Sequence, residues 1–439
     1  MNHSKTNAEK IIRTREETHV ETYGKPSLAT KIIATDVLIV GAGPAGAAAA
    51  ITLARAGREV LIIDQHNFPR DKICGDGLIP DALQALAQLG VLDRVRALAT
   101  PVKGVTCHGP KGGVLDIPSE LAVLPRKALD QLLVQAAIAA GATFLTPYRY
   151  VHPVTDGDRT VGAIAQGPSG TLDIKANWTI LATGATVAAL QSADHCTRDL
   201  PSAMALRGYV HNPTFKGLNE RLHISWHKSY APGYGWIFPC PDGVFNIGVG
   251  LYGMHATGWR HRLAQMPGLG HLRPRKPNLN ALFKLFVSTN PLAQSLMETG
   301  TLMCDIKGAP LRCSLEGAKP SSAGLLVTGE AVGSTYALTG EGIGKAMETG
   351  ILAAQSVLAR LDDEQTMVHY ETALGQLTPK FDIYRRANLI NRMLWLIELA
   401  IKRGNKSPKL VKRMSLVLEE KANPSKLFTA RGAWKFLTE

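Results

Sequence analysis

Residues 36–77 read DVLIVGAGPAGAAAAITLARAGREVLIIDQHNFPRDKICGDG. The run Val37-Leu38-Ile39-Val40 has the length and β-branched content of a buried strand. Gly41, Gly43 and Gly46 follow at G-x-G-x-x-G spacing around Pro44 and Ala45, and the alanine-rich segment Ala47 to Ala56 reads as a helix ended by Gly57. A second apolar run, Val60 to Ile63, closes on Asp64. Gly41 permits a tight turn, Gly43 lets backbone approach a pyrophosphate, and Gly46 lets helix sit close to strand. The pyrophosphate would rest on the helix N-terminus, where free N–H groups and the dipole favour anions. Asp64 is placed to accept from a ribose hydroxyl. A bare glycine triplet says little. Strand, triplet, helix, strand and terminal acid together predict a dinucleotide site.

Outward from this unit, 439 residues allow two or three domains and a large core. The composition is that of a globular protein, 45% hydrophobic and 19% charged, and no run of 18 apolar residues predicts a bilayer span. The first 34 residues lack an apolar core of the secretory kind and read as a polar extension, disordered or loosely docked. Six cysteines at 74, 107, 196, 240, 304 and 313 form no CxxC pair and no metal spacing, so a cytoplasmic protein with free thiols and no metal is expected. The net charge of +13 permits an anionic membrane surface as partner, and Ile401 to Glu439 carries ten Lys or Arg against three acids. No nucleic-acid motif accompanies the charge, and no nucleic-acid partner is expected.

In chain order, helical periodicity follows from Leu78 to Leu89, short strands from Val102 to Ile117, and an amphipathic helix from Arg126 to Ala140. Residues 149–180 read as a hairpin that ends in the buried strand Trp178 to Leu181. Ala205 to Pro310 is richer in aromatics and turns, as an inserted antiparallel sheet would be. The first pattern then resumes: Leu325 to Thr328 as a strand, a glycine-rich turn, and a helix from about Gly342. Beyond Leu361 the chain reads as helices with basic ends.

Several stretches resemble the geranylgeranyl reductase family of flavoproteins, within the p-hydroxybenzoate-hydroxylase-like group. They are GAGPAG at 41–46 with Asp64, PRDKICGDG at 69–77, LPRKALDQLL at 124–133, PGYGWIFP at 232–239 and GEAVGSTYALTGEGI at 329–343. PRDKICGDG with YGWIFP points to the reductase branch; the other motifs are shared with flavin monooxygenases and halogenases. The resemblance implies FAD, and an α/β fold: a discontinuous Rossmann-like FAD-binding domain (35–100, 120–200, 320–362) with an inserted antiparallel-sheet substrate domain (101–119, 201–319). A polar extension (1–34) and a C-terminal helical, basic region (363–439) complete the chain. FAD would lie against Gly41, Gly43, Pro44, Ala45, Gly46, Asp64, Gln65, Arg70, Cys74, Gly75, Asp76, Gly77, Arg126, Gly184, Gly329, Glu330, Gly340, Gly342 and Ile343. The helix after Gly342 would aim its positive end at the flavin's pyrimidine edge, where reduced flavin holds negative charge. Arg126 would reach the phosphates or ribityl chain, or else be a surface helix arginine.

Three positions depart from the family pattern: Glu330 stands for the usual Asp, Ala337 for the usual Pro, and Thr183-Gly184 for an Asp-Gly turn. The last of these makes NAD(P)H-driven hydroxylation less expected and leaves the electron donor open, either NAD(P)H or a reduced carrier protein.

Catalytic candidates are Cys74, Gly75, Tyr234 and Trp236. A thiol beside the flavin could give the proton that alkene reduction needs, with Lys72 favouring its thiolate; or Cys74 is a small packed residue. Gly75 and Gly77 read as clearance for the flavin ring, and Asp76 as a cap for the helix that follows. Tyr234, Trp236 and Phe238 alternate, so they share one strand face that walls an apolar pocket or packs in the core. Halogenases carry two tryptophans in this segment, whereas Tyr234 and Phe238 stand here. Tyr336 and Thr339 would face the flavin; the thirteen histidines fall singly and receive no role. The segment 384–403 has a broad apolar face and one polar stripe (Arg385, Asn388, Arg392, Glu398, Lys402), suited to an anionic bilayer surface or to packing over the substrate domain. The expected activity is reduction of carbon–carbon double bonds in a polyprenyl chain of a lipid, quinone or tetrapyrrole. The expected place is the cytoplasm, peripheral on the inner face of the membrane. Rival readings are a flavin monooxygenase or halogenase, and a FAD-binding membrane partner without turnover.

Overall fold

The computed structural model describes residues 30–216, 218, 220–252, 278–359 and 361–422. Parts of the expected extension (1–29), substrate segment (253–277) and basic region (423–439) therefore lie outside the described residues. In chain order the strands are β1 (Thr30–Val40), β2 (Val60–Ile63), β3 (Gly77–Leu78), β4 (Thr100–His108), β5 (Val114–Val123), β6 (Thr143–Leu145), β7 (Arg149–Asp156), β8 (Arg159–Gly167) and β9 (Gly170–Leu181). They continue as β10 (Ala203–His211), β11 (Leu222–Ser225), β12 (Gly233–Pro239), β13 (Val244–Tyr252), β14 (Thr301–Leu302), β15 (Lys307–Leu311), β16 (Ser321–Ser322) and β17 (Leu325–Val327). The helices are α1 (Pro44–Arg55), α2 (Pro80–Gln88), α3 (Leu92–Arg96), α4 (Arg126–Ala139), α5 (Ala188–Ser192) and α6 (Leu279–Thr289). After them come α7 (Pro291–Thr299), α8 (Ile343–Leu358), α9 (Asp363–Ala387), α10 (Leu394–Gly404) and α11 (Pro408–Leu418).

The first sheet runs β16-β17-β9-β1-β2-β6, with β7 and β8 added on the outer part of β9. The pairs β17–β9, β9–β1, β1–β2 and β2–β6 are all parallel. Parallel neighbours require crossovers, and α1 supplies the one between β1 and β2. α1 packs on β1 and β2 with α4 and α8 against it, and the sheet's centre is covered on both faces, which is why Val37–Val40 and Val60–Ile63 are unbroken apolar runs with every residue buried. Small residues set the spacing. Ala47 to Ala50 of α1 are fully buried, and a Cβ on Gly46 would strike the Gly41 carbonyl, while one on Gly350 of α8 would strike the Ala45 carbonyl. Burying an apolar side chain of this core contributes about 1.5–3 kcal/mol each.

The second sheet runs β14-β10-β13-β12-β11-β4-β5-β3, with β15 also on β10. All its pairs are antiparallel except β11 with β4. α6 and α7 pack on one face through Phe283, Phe286 and Leu296, and a Cβ on Gly235 would overlap the Phe286 ring. α10 and α11 lie near the β4–β5 end of the sheet, where Leu115, Ile397 and Ile401 form a small core of their own.

Four expectations change. Residues 30–34 belong to β1 and pair with 171–175 of β9; the extended strand wins because that edge of β9 would otherwise be unpaired. Residues 149–181 form a three-strand meander, not one hairpin. The expected all-sheet insert contains α6 and α7, each capped by an asparagine side chain, Asn278 and Asn290. The segment 384–403 is not one helix. α9 ends at Ala387, a 3-10 turn covers Asn388–Asn391, and α10 begins at Leu394. Glu398 also leaves the expected solvent stripe and is buried.

Candidate active site

A single continuous cavity of about 740 Å³ runs between the two sheets. At one end, the turn after β1 reaches it. Gly41 has φ of +103° and lies where a Cβ would strike the Ala182 carbonyl, so only glycine lets β1 and β9 end side by side there. Asp64, expected to meet a ribose, accepts from the Ala42 N–H at 2.9 Å and the His66 N–H at 2.9 Å. It holds the turn, and its remaining lone pairs face the cavity it lines with Gln65 and Arg70.

A Cβ on Gly43 would stand 3.6 Å from Arg70 Nη2 and 3.7 Å from Arg126 Nη2, so two guanidinium groups converge on the N-terminus of α1. Arg126 is buried and bidentate to Asp130 (2.7 and 2.8 Å). The surface alternative for Arg126 falls. Arg70 Nη1 is 3.1 Å from Asp130 but makes no hydrogen bond, and Thr183 Oγ1 is likewise buried without a partner. Neither α1 nor α8 has a side-chain cap at its N-terminus. An unpartnered hydroxyl, two basic groups and two uncapped helix ends on one cavity fit a long ligand with a diphosphate. Glu330 lines the same cavity, 3.7 Å from Lys72, beside Gly340, Gly342 and Ile343. Gly184 (φ +72°) lines it at the end of β9, and Gly329 (φ +68°) lies where a Cβ would meet Ala45.

At mid-cavity the loop 70–77 crosses the aromatic face of β12. Tyr234, Trp236 and Phe238 all line the cavity. A Cβ on Gly75 would be 3.2 Å from Phe238, and one on Gly77 3.5 Å from the same ring. These glycines make room for the Phe238 ring. Burial first, and Asp76 second, push the Cys74 thiol up from its ordinary value; Lys72 opposes them weakly. The expected thiolate is therefore corrected: Cys74 holds its proton.

Asp76 does not cap the following helix. It is fully buried (0% exposed), has φ of +65°, and accepts from the N–H of Arg126, the first residue of α4, at 3.2 Å. Its other oxygen accepts from Tyr209 Oη (2.5 Å) and Asn246 Nδ2 (2.7 Å). Asn246 also donates to the Cys74 carbonyl (2.8 Å) and accepts from Trp236 Nε1 (2.9 Å). One network thus ties loop, helix and aromatic wall. Burial pushes the Asp76 carboxyl up to about 6, against the pull of Tyr209, Arg207 and Asn246. Arg207 joins from below, paired with Asp71 at 2.7 Å and lying 4.1 Å over the Tyr209 ring. Sequence reasoning missed Asn246, Tyr209 and Arg207. The available signal was a polar residue on the inward side of an otherwise apolar strand, which needs buried partners.

Glu341 lines the cavity between Gly340 and Gly342. Burial, then Asp81, raise its carboxyl to about 8, and Thr339 Oγ1 donates to it at 3.1 Å. Tyr234 Oη donates to the Thr339 carbonyl. Tyr336 faces away: it stacks on Tyr384 (4.0 Å between centroids) and donates to Glu420 at 2.9 Å. Lys345 in the first turn of α8 is buried among Asp81 (3.6 Å), Glu348 (2.6 Å) and Glu420 (3.1 Å). His108 and His223, single in the sequence, stand 3.0 Å apart in the fold. Among the described residues no group of three potential metal ligands occurs.

Beyond the aromatic wall the cavity continues between β4, β5 and β11 and the helices α10 and α11. Its lining there is aliphatic: Val105, Leu115, Ile117, Ile224, Ile397, Ile401, Met414 and Leu418, with Trp226. The C-terminal region, for which packing over the substrate domain was one of two expectations, forms the roof of the site.

A Rossmann-like sheet, an anion-ready helix end and a second helix end on one long cavity define a FAD-dependent oxidoreductase. Residues 34–201 match the family described as FAD binding domain. The chain is 32% identical over 338 residues to a menaquinone reductase of Mycolicibacterium smegmatis, covering 73% of this chain and 75% of that one. It is 24% identical over 337 residues to digeranylgeranylglycerophospholipid reductase 2 of Methanopyrus kandleri, covering 76% and 80%. The protein belongs to the geranylgeranyl reductase family of FAD-dependent oxidoreductases. In fold it is similar to a geranylgeranyl bacteriochlorophyll reductase-like protein of Thermoplasma acidophilum (TM-score 0.73, 20% identity, 90% of this chain and 99% of that one). It is also similar in fold to a flavin-dependent brominase (TM-score 0.70, 19% identity, 92% and 98%).

Proposed function

We propose that this protein reduces carbon–carbon double bonds in a polyprenyl chain carried by a lipid, quinone or tetrapyrrole. The observation that carries the reading is the aliphatic half of the cavity, roofed by α10 and α11 and opening onto the aromatic wall beside Cys74. Such a lining binds by area removed from water, about 0.8 kcal/mol per buried methylene, and takes a hydrocarbon chain whatever its headgroup. Relatives named for a menaquinone and for a digeranylgeranyl lipid share one chemical feature, the prenyl chain, which supports the same substrate class.

Gly41, Gly43 to Gly46, Arg70 and Arg126 would hold the diphosphate of FAD. Asp64 and Gln65 would face its adenosine, and Glu330 and Gly340 to Ile343 its ribityl and ring end. Bound FAD supplies the hydride. The protein's own task is to align the alkene on the Tyr234–Trp236–Phe238 face, exclude water, and give one proton to the second carbon, so that C=C becomes CH–CH. Cys74 Sγ holds a proton at mid-cavity and is the proposed donor. Trp236 and Tyr234 hold the chain, and Asp76 with Asn246 fixes the loop that carries the thiol. Electrons would come from NAD(P)H or a reduced carrier protein, on the cytoplasmic side.

The test is anaerobic. Protein reduced in the absence of oxygen should be reoxidised on mixing with a geranylgeranyl lipid, which should gain two hydrogens in mass for each bond reduced. Reoxidation by an aromatic substrate and oxygen only, with a hydroxylated or halogenated product, would sink the reductase reading.

A further inference from the structure

The roof helices have a second face. We infer that the corner joining α9 to α10 is a bilayer-docking surface for an anionic membrane, placed so that a prenyl chain passes from lipid into the cavity it covers. This rests on the reductase reading only for its purpose; the surface itself rests on charge and exposure. Ile390, Ile397 and Ile401 point into the cavity. On the outside of the same short stretch, Leu389 is 60% exposed, Met393 39% and Trp395 59%. Leu389 and Trp395 are the most exposed large apolar side chains among the described residues. Trp395 lies two residues before Ile397, about 200° around the helix, so an inward Ile397 sends Trp395 outward.

The exposed charges on the stretch itself have one sign, with Asp382 and Glu316 beside Arg385 at its edge. From Tyr384 to Leu418 there are nine Lys or Arg and one acid, Glu398. That acid is buried on the inner side, accepting from the Lys111 N–H at 3.0 Å. Arg385 is partly answered by Asp382 at 2.9 Å; Arg386, Arg392 and Lys402 are exposed. Apolar side chains with an aromatic at their centre, ringed by cations, match the headgroup level of an anionic leaflet. Among the described residues no helix is long and apolar enough to cross a membrane, so the contact is a lateral one. A soluble acidic protein would complement the cations but leave the three apolar side chains without a hydrocarbon phase.

The test is flotation of the full-length, FAD-loaded protein with phosphatidylcholine vesicles, with and without phosphatidylglycerol. The wild type should float with the anionic vesicles and sink with the neutral ones, and added salt should release it. Arg386→Glu and Arg392→Glu should each lower partition about fivefold or more. The triple variant Leu389→Ser/Met393→Ser/Trp395→Ser should lower it at least about tenfold. It should keep its FAD and its turnover of detergent-dispersed prenyl lipid while losing turnover of lipid embedded in vesicles. Wild-type flotation by all three variants overturns the inference. So does a dimer that the triple variant abolishes without any change in flotation, since the patch would then serve a second copy. Flotation without turnover of any prenyl lipid would sink the reductase reading alone.

Discussion

Cys74 and Glu341 are two protonated groups on one cavity, and substitutions separate their roles. Cys74→Ala should retain FAD and lose about 100-fold in the rate of anaerobic reoxidation by prenyl lipid, the usual scale of one lost proton donor. Full turnover in that variant would reduce the thiol to packing. For Glu341 the sign follows from the raised carboxyl. A group lifted from 4.5 to about 8 contributes stability that is present below about 4.5 and is lost as pH rises through about 8. Glu341→Gln, which cannot ionise, should match the wild type in melting temperature near pH 5 and exceed it near pH 9. Equal pH profiles for the two proteins would show that Glu341 does not titrate there. At this scale the turn glycines were legible because backbone geometry dictates them from local spacing, whereas the backbone N–H groups that Asp64 holds were not foreseen. Asp76 was legible as important but misread in role, because its partners Tyr209 and Asn246 lie more than a hundred residues away and only the fold brings them together.

Among the elements, α4 shows what a buried charge can do. Asp130 sits between Arg126 and Arg70 and is fully buried. Its removal leaves two guanidinium groups facing each other beneath the N-terminus of α1. Asp130→Ala should therefore cost about 3–5 kcal/mol in denaturant unfolding. Added FAD should restore more stability to the variant than to the wild type if its diphosphate answers those charges; equal gains would place the cofactor's charge elsewhere. The β-α-β unit, α4 and α8 were legible because each carries a strong period and end signals. The break at Asn388–Asn391 was not. The stretch 384–403 keeps its helical period straight through the 3-10 turn, and the partners met at the break are distant in sequence: Trp226 Nε1 donates to Asn391 at 2.9 Å, and Asn391 donates to the Leu338 carbonyl at 3.2 Å. Glu398 was misplaced for the same reason, since its partner is a turn 287 residues earlier.

For the molecule as a whole, the cofactor groove and the apolar chamber are built from different parts of the chain. The groove needs residues up to Leu358, the end of α8; the chamber also needs 384–418. A chain ending at residue 383 should bind FAD, read from its visible absorbance, and fail to bind a prenyl lipid that the full chain retains. Equal lipid retention by the two proteins would remove the roof from the substrate site. The sequence of that roof suited membrane contact or packing over the substrate domain, but its local pattern could not show which residues face the cavity, because the wall it completes lies well over a hundred residues upstream. The roof is fastened at both ends. Glu398 fills the turn between β4 and β5, where a Cβ on Gly109 or Gly113 would strike it, and Glu420 reaches back to Lys345 and Lys380. Both fastenings lie C-terminal to the wall they close and are therefore made after it. During synthesis the nascent chain displays a greasy trough whose natural cover has not been made, while the nucleotide groove beside it is already formed. Cofactor loading can thus precede closure, and that interval is when the chain is most exposed to aggregation. A chain stopped between α8 and the roof, before residue 384, would be a yellow, sticky and inert protein, with its defect far from any residue that touches flavin.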